Sequence, residues 1–251
     1  MHPDYFIFIP AYNVQATLAG VLGHISPAVM ERAQVLVIDD GSKDDTRGAY
    51  ETFVAGEAGV AGSDCAAHLQ YMRFEFNRGY GAVVKCGISE GLRSGAKYIA
   101  CLHGDGQYPA EQLGEFFAHL EIAGNSPAIA LVQGSRRLVP GAARAGNMPL
   151  HKRIGGAFLT ALENIAFRQK LTDRHSGFIV YSADFLKTLD LAKLSPSFDI
   201  DLEIISIADA RGWRIAELPI PTRYAGEKSN LNVVTYGLRV LRQIARRICM
   251  R

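Results

Sequence analysis

Short apolar runs punctuate the first half of the chain, and each stops abruptly at polar or turn-forming residues. Tyr5 to Ile9 is continuous and ends at Pro10, and a helix-like stretch follows to about Met30. Val35 to Ile38 is halted by Asp39-Asp40-Gly41-Ser42, and further runs span Leu69–Phe74, Tyr98–Leu102 and Ile129–Val132. Runs this apolar, separated by helical segments, predict strands buried on both faces of a mainly parallel sheet. Gly56–Gly62 reads as a flexible surface loop.

From Gly134 to Gly156 the pattern weakens into Gly, Ala, Arg and Pro, which predicts a long loop of the kind that carries function. The second half predicts a helix over Ile154–Arg168, a strand over Phe178–Tyr181, a helix over Ile200–Ala210 and a strand over Arg214–Leu218. A loop from Pro219 to Asn232 leads into a last helix, Val233 to Arg251. There Val234, Leu238, Leu241, Ala245 and Ile248 share one stripe, while Arg239, Arg242, Arg246 and Arg247 fall mostly opposite. That is the pattern of a helix lying among anionic lipid headgroups, the alternative being packing on its own domain. The reading is one α/β domain over 1–232 and a basic amphipathic helix over 233–251.

Composition narrows this without redirecting it. The 251 residues are 48% hydrophobic and 21% charged, enough for a sizeable core without disulfides or a structural metal. A net charge of +2 argues against a dedicated nucleic-acid binder. Cys65, Cys86, Cys101 and Cys249 form no C-x-x-C pair and read as thiols of a reducing compartment. The N-terminus lacks the basic start and apolar run of a signal peptide, and no stretch approaches the roughly 18 apolar residues of a membrane span. The expected location is the cytoplasm, with any membrane contact peripheral.

The polar groups gather where the runs stop: Pro10-Ala11-Tyr12-Asn13, Asp39-Asp40-Gly41-Ser42 and His103-Gly104-Asp105-Gly106-Gln107. In parallel α/β sheets ligands bind beyond the carboxyl ends of strands, where these groups would converge. One such group alone is a turn with capping residues as readily as a site. Gly79-Tyr80-Gly81 lacks both the third glycine and the position of a dinucleotide fingerprint, which argues against NAD.

Seven segments in order carry a resemblance: I-P-A-Y-N at 9–13, D-D-G-S-K-D-D-T at 39–46, N-R-G-Y-G-A at 77–82, H-G-D-G-Q-Y-P at 103–109, G-S-R at 134–136, D-R-H-S-G-F at 173–178 and E-L-P-I-P-T-R-Y-A-G-E-K-S at 217–229. The chain resembles a family 2 glycosyltransferase with a GT-A fold, in particular the dolichyl- and polyprenyl-phosphate sugar synthases. The resemblance implies an inverting, metal-assisted hexosyl transfer from a nucleotide-sugar, UDP- or GDP-linked, to a lipid phosphate or a glycan. It implies that Pro10 and Tyr12 flank the base, that Asp40 accepts from the base or ribose, and that Asp39 orients the loop. The family's Glu after Tyr-Asn is replaced by Val14.

The third group matches the family's D-x-D metal motif, with Asp105 in the second Asp position, Gly104 between, Gln107 downstream and His103 in place of the first Asp. A diphosphate's clustered charge is met by Mg²⁺ or Mn²⁺ bridging it to one or two carboxylates. Direct ligation by His103 would favour Mn²⁺, and otherwise His103 touches a sugar hydroxyl or supports a ligand from behind. Arg136, Arg223 and Lys228 would neutralise phosphate oxygens, with a solvated surface cation as the alternative for each. The resemblance puts Asp173 near the acceptor. An ionised lipid phosphate needs no general base, whereas a hydroxyl acceptor would need one, with Asp199 or Asp201 as candidates. Asp199, Asp201 and Glu203 are equally read as acidic residues complementing a helix dipole.

Overall fold

β1 (Tyr5–Ala11) is buried at nearly every position, as its unbroken apolar run demands, and its side chains alternate between two cores. Tyr5, Ile7 and Ile9 pack into one and Phe6 and Phe8 into the other. This computed structural model describes residues 2–56, 67–123, 129–141, 144, 146, 148–167 and 170–221. Arg223, Lys228, Cys65, Cys249, most of the Gly56–Gly62 loop and the 233–251 helix lie outside the described residues.

The remaining strands are β2 (Ala33–Asp39), β3 (Leu69–Arg73), β4 (Tyr98–Cys101), β5 (Ile129–Ser135), β6 (Ile179–Ser182) and β7 (Arg214–Pro219). They form one sheet in the order β3-β2-β1-β4-β6-β5-β7, with β6 antiparallel to both its neighbours. The chain moves outward from β1 to β2 and β3, then returns to place β4 on the other side of β1. The crevice at the carboxyl ends of β1 and β4 is therefore a topological switch point.

Helices α1 (Leu18–Gly23), α2 (Pro27–Met30), α3 (Thr46–Val54), α4 (Tyr80–Ser94), α5 (Leu113–Ala123), α6 (Leu150–Phe167), α7 (Ala183–Leu186) and α8 (Ile200–Ala210) flank the sheet. α1, α2 and α5 supply the first core, and α4, α7 and α8 supply the second. Among the described residues no helix is long and apolar enough to cross a membrane.

Two sequence expectations change. The helix-like stretch after β1 is two helices, because extended Ser26 (ψ 146°) precedes Pro27, whose ring suits a first helical position. The Gly134–Gly156 loop is shorter than expected: β5 runs on through Gly134 to Ser135, and α6 begins at Leu150.

Candidate active site

The three polar groups are bound to one another. Asn13 has a left-handed backbone (φ 55°), which asparagine tolerates better than most residues. This lets its amide N–H donate to Ser42 Oγ (2.9 Å) while its Oδ1 accepts from the Lys43 N–H (2.7 Å). Thr46 Oγ1 accepts from the Val14 N–H at 3.0 Å, and Val14, where the family carries Glu, is buried in the core. On the β4 side, the Gly104 N–H donates to the Pro10 carbonyl at 3.1 Å, and Thr17 Oγ1 donates to the Gly104 carbonyl at 2.7 Å.

Asp39 and Asp40 divide their work. Asp39 is fully buried and accepts from the Ser42 N–H (2.7 Å), the Tyr71 hydroxyl (2.6 Å) and the Arg73 guanidinium (3.2 Å). Its bond to Ser42 closes the turn. Gly41 completes that turn with φ 71°, and a Cβ there would sit 2.8 Å from the Asn77 backbone nitrogen. Asp40 reaches across to the start of α4, accepting from the Arg78 and Gly79 N–H groups at 2.6 and 2.9 Å. Each Asp40 oxygen keeps one further lone pair for a ligand.

Between these parts lies a cleft of about 470 Å³. Pro10, Tyr12 and Asp40 line it opposite His103, Gly104 and Asp105, with Tyr80 and Phe198 between. Asp105 Oδ1 accepts from the Gln107 N–H at 3.0 Å, so Gln107 steadies the loop through its backbone. Among the described residues no three His, Cys, Asp or Glu side chains cluster as a ready-made metal cage. This donor set fits a divalent ion held jointly by Asp105 and a ligand's phosphates, the usual habit of Mg²⁺.

The aromatic part of the back wall escaped the sequence reading, which named His103 and Asp201 but none of the rings around them. The rings of Tyr80 and Phe198 stack with centroids 5.3 Å apart, and His103 meets Tyr108 edge-on at 5.0 Å. The Tyr80 hydroxyl donates to Asp201 Oδ2 at 2.8 Å, and Tyr181 approaches Oδ1 at 3.4 Å. Lost hydration pushes the Asp201 carboxyl up to about 7 and raises both tyrosines well above their usual value. The Tyr108 hydroxyl accepts from the Gly177 N–H at 2.9 Å, and burial pushes Tyr108 up to about 12. Gly177 itself leaves no room for a side chain, since a Cβ there would meet His103 Nε2 at 2.7 Å. Tyr80 lies in N-R-G-Y-G-A and Tyr108 in D-G-Q-Y-P, so both motifs were visible; a lone aromatic there reads first as core.

Two residues assigned to separate tasks by sequence turn out to be each other's partner. Arg136 Nε and Nη2 donate to the two oxygens of Asp173 at 2.7 and 3.1 Å, and Nη2 also donates to the His175 carbonyl at 3.0 Å. Burial acts to raise the Asp173 carboxyl, but Arg136 prevails and holds it below the ordinary carboxylate range. The pair is a strut joining the end of β5 to the segment before β6. Asp199 heads α8 without capping it through its side chain, accepting instead from Ser195 Oγ at 2.7 Å, while Glu203 accepts from the Ser195 N–H at 2.6 Å.

Comparison with known proteins decides the family. Residues 6–190 match the model of glycosyl transferase family 2. The chain belongs to that family. Among family 2 relatives, the undecaprenyl-phosphate mannosyltransferase of Micrococcus luteus is 30% identical over 213 residues, covering 84% of this chain and 80% of the relative. The UDP-N-acetylglucosamine–dolichyl-phosphate N-acetylglucosaminyltransferase of Methanococcus voltae is 25% identical over 222 residues, covering 87% and 85%. The family 2 chain is thus a glycosyltransferase related to polyprenyl-phosphate sugar transferases. Its GT-A fold is shared with Mycobacterium tuberculosis glucosyl-3-phosphoglycerate synthase, solved with Mn²⁺, UDP and phosphoglyceric acid. That likeness has a TM-score of 0.67 at 16% identity and covers 98% of this chain and 78% of the other.

Proposed function

We propose that this enzyme transfers a sugar from a nucleotide-sugar to a polyprenyl-phosphate-type lipid, by single displacement with inversion at the anomeric carbon. The observation that carries the reading is the convergence of Pro10–Asn13, Asp39–Asp40 and His103–Asp105 on one cleft at the switch point. Pro10 and Tyr12 flank the base, and the free lone pairs of Asp40 take donors from base or ribose. Asp105 faces the diphosphate. Mg²⁺ or Mn²⁺, when bound there, neutralises the charge that builds on the departing diphosphate. Arg223 and Lys228 belong to the same proposal as cations for phosphate oxygens.

The lipid-phosphate acceptor is favoured over a hydroxyl because the candidate bases among the described residues are already engaged. Asp173 is locked to Arg136, Asp199 holds Ser195 and Asp201 holds Tyr80. An ionised phosphate needs none of them. The named relatives also act on lipid phosphates, as their descriptions state. α6 adds a surface argument: Leu150, Ile154, Phe158 and Ile165 are 61–77% exposed, with Gly155, Ala157 and Ala161 exposed among them. A helix face that apolar suits a membrane interface. In this reading residues 1–232 form the catalytic domain, 233–251 is a second lipid-facing segment, and the enzyme works at the cytoplasmic face of a membrane.

Asp105→Asn tests the core of this reading. The variant should keep its melting temperature and lose transfer from labelled donor to polyprenyl phosphate. Retention of more than about a tenth of wild-type turnover, a loss under about 1.4 kcal/mol, would remove Asp105 from the diphosphate site.

A further inference from the structure

His103 has a sharply limited set of protons around it. Its Nε2 lies 3.2 Å from the Tyr80 hydroxyl, and that hydroxyl lies 2.8 Å from Asp201 Oδ2. Above about pH 7, where Asp201 ionises, its carboxylate has lone pairs and no proton to give. The single Tyr80 proton therefore goes to Asp201, leaving the Tyr80 oxygen to act towards His103 as an acceptor. The proton on the His103–Tyr80 contact must then come from Nε2. A neutral imidazole carries one N–H, and its other ring nitrogen is an acceptor. That leaves Nδ1 with a lone pair.

We propose that Asp201, acting through Tyr80, is a positioning residue that fixes His103 as the Nε2–H tautomer and so presents an Nδ1 lone pair to the donor cleft. The Nε2 edge is closed by the Gly177 backbone as well as by Tyr80, and Nδ1 has no hydrogen-bond partner among the described residues. A ring nitrogen in that state cannot donate to a phosphate oxygen. It takes a hydroxyl proton or a divalent cation. His103 thereby keeps the electron-pair-donating character of the first carboxylate in D-x-D while shedding its charge. This consequence rests on the glycosyl-donor reading of the cleft; the tautomer does not.

Side-chain ¹⁵N NMR of the intact protein tests it, at about pH 8.5 so that Asp201 is ionised, with the His103 signals identified by their loss in His103→Asn. The wild type should carry its proton on Nε2 in a single tautomer. Asp201→Ala should release the Tyr80 proton and yield a mixture of tautomers, although Asp201 does not touch His103. Tyr80→Phe should cost the Nε2 proton its protection from exchange with water, and it carries the test alone if Asp201→Ala does not fold. A wild-type proton on Nδ1, or an Asp201→Ala spectrum unchanged from wild type, would overturn the proposal. Transfer assays separate the two levels. A lost tautomer with unchanged kcat and unchanged metal requirement would overturn the positioning role. A wild type with the expected tautomer but no transfer would count against the proposed reaction instead.

Discussion

Arg136 and Asp173 set a clear energetic question, because Asp173 is 1% exposed and an unpaired charge at that depth is costly. Removing one partner of a buried pair typically costs about 3–5 kcal/mol. Arg136→Met should lose stability in that range at neutral pH, measured by denaturant unfolding. The native Asp173 pKa lies below the unfolded one, so the pair's stabilisation is present above the unfolded value and fades as pH falls through the folded one. The gap between wild type and variant should accordingly shrink as pH falls below about 4, the unfolded value. A gap independent of pH would mean that Arg136 acts through packing. At this scale the carboxylates at strand ends were legible, because Asp40 and Asp105 sit in motifs. Asp201 was weighed as a base and not as the partner of Tyr80, because 121 positions separate the two and nothing local links them.

Elements tell a similar story. The inner strands β1, β2, β4, β5 and β6 could be read because each is buried along nearly its whole length, whereas the edge strands β3 and β7 are only partly buried. The end of β5 was hidden by Gly134, which looks like a loop residue but is required there: a Cβ would lie 2.9 Å from Ile220 side-chain atoms. The exposed stripe of α6 blurred the onset of that helix, since apolar residues on its open side spoil the expected periodicity. The join between β2 and α4 carries a prediction of its own. Asp40 latches the α4 N-terminus through two backbone N–H groups and also faces the cleft. Asp40→Ala should weaken nucleoside diphosphate binding even without metal, as read by calorimetry. Unchanged metal-free affinity would leave Asp40 with the latch alone.

On the scale of the whole molecule, chemistry is confined to one end of the sheet. β1, β2 and β4 deliver their loops to the cleft, while antiparallel β6 begins beside it, just after Gly177 backs onto His103. The excursion that holds α6 leaves from the end of β5 and returns to the start of β6 at that same end. If the apolar face of α6 meets lipid, the protein should float with anionic vesicles, and Ile154→Glu combined with Phe158→Glu should abolish most of that flotation without lowering the melting temperature. Equal flotation of both proteins would assign membrane contact elsewhere, the 233–251 segment first.

The strut at the base of that departure has a further consequence. Ser135 and Thr172 hydroxyls meet at 2.6 Å beside the Arg136–Asp173 pair, and Glu217 accepts from the Thr172 N–H at 2.7 Å. The stretch from Arg137 to Leu171 is therefore an excursion whose two ends are already tied together. Closing a tied excursion costs little more as it lengthens, about 0.6 kcal/mol for each doubling. Natural variation can then exchange this cassette wholesale, with a different helix, tilt or length, while the part of the cleft built by β1, β2 and β4 keeps its shape.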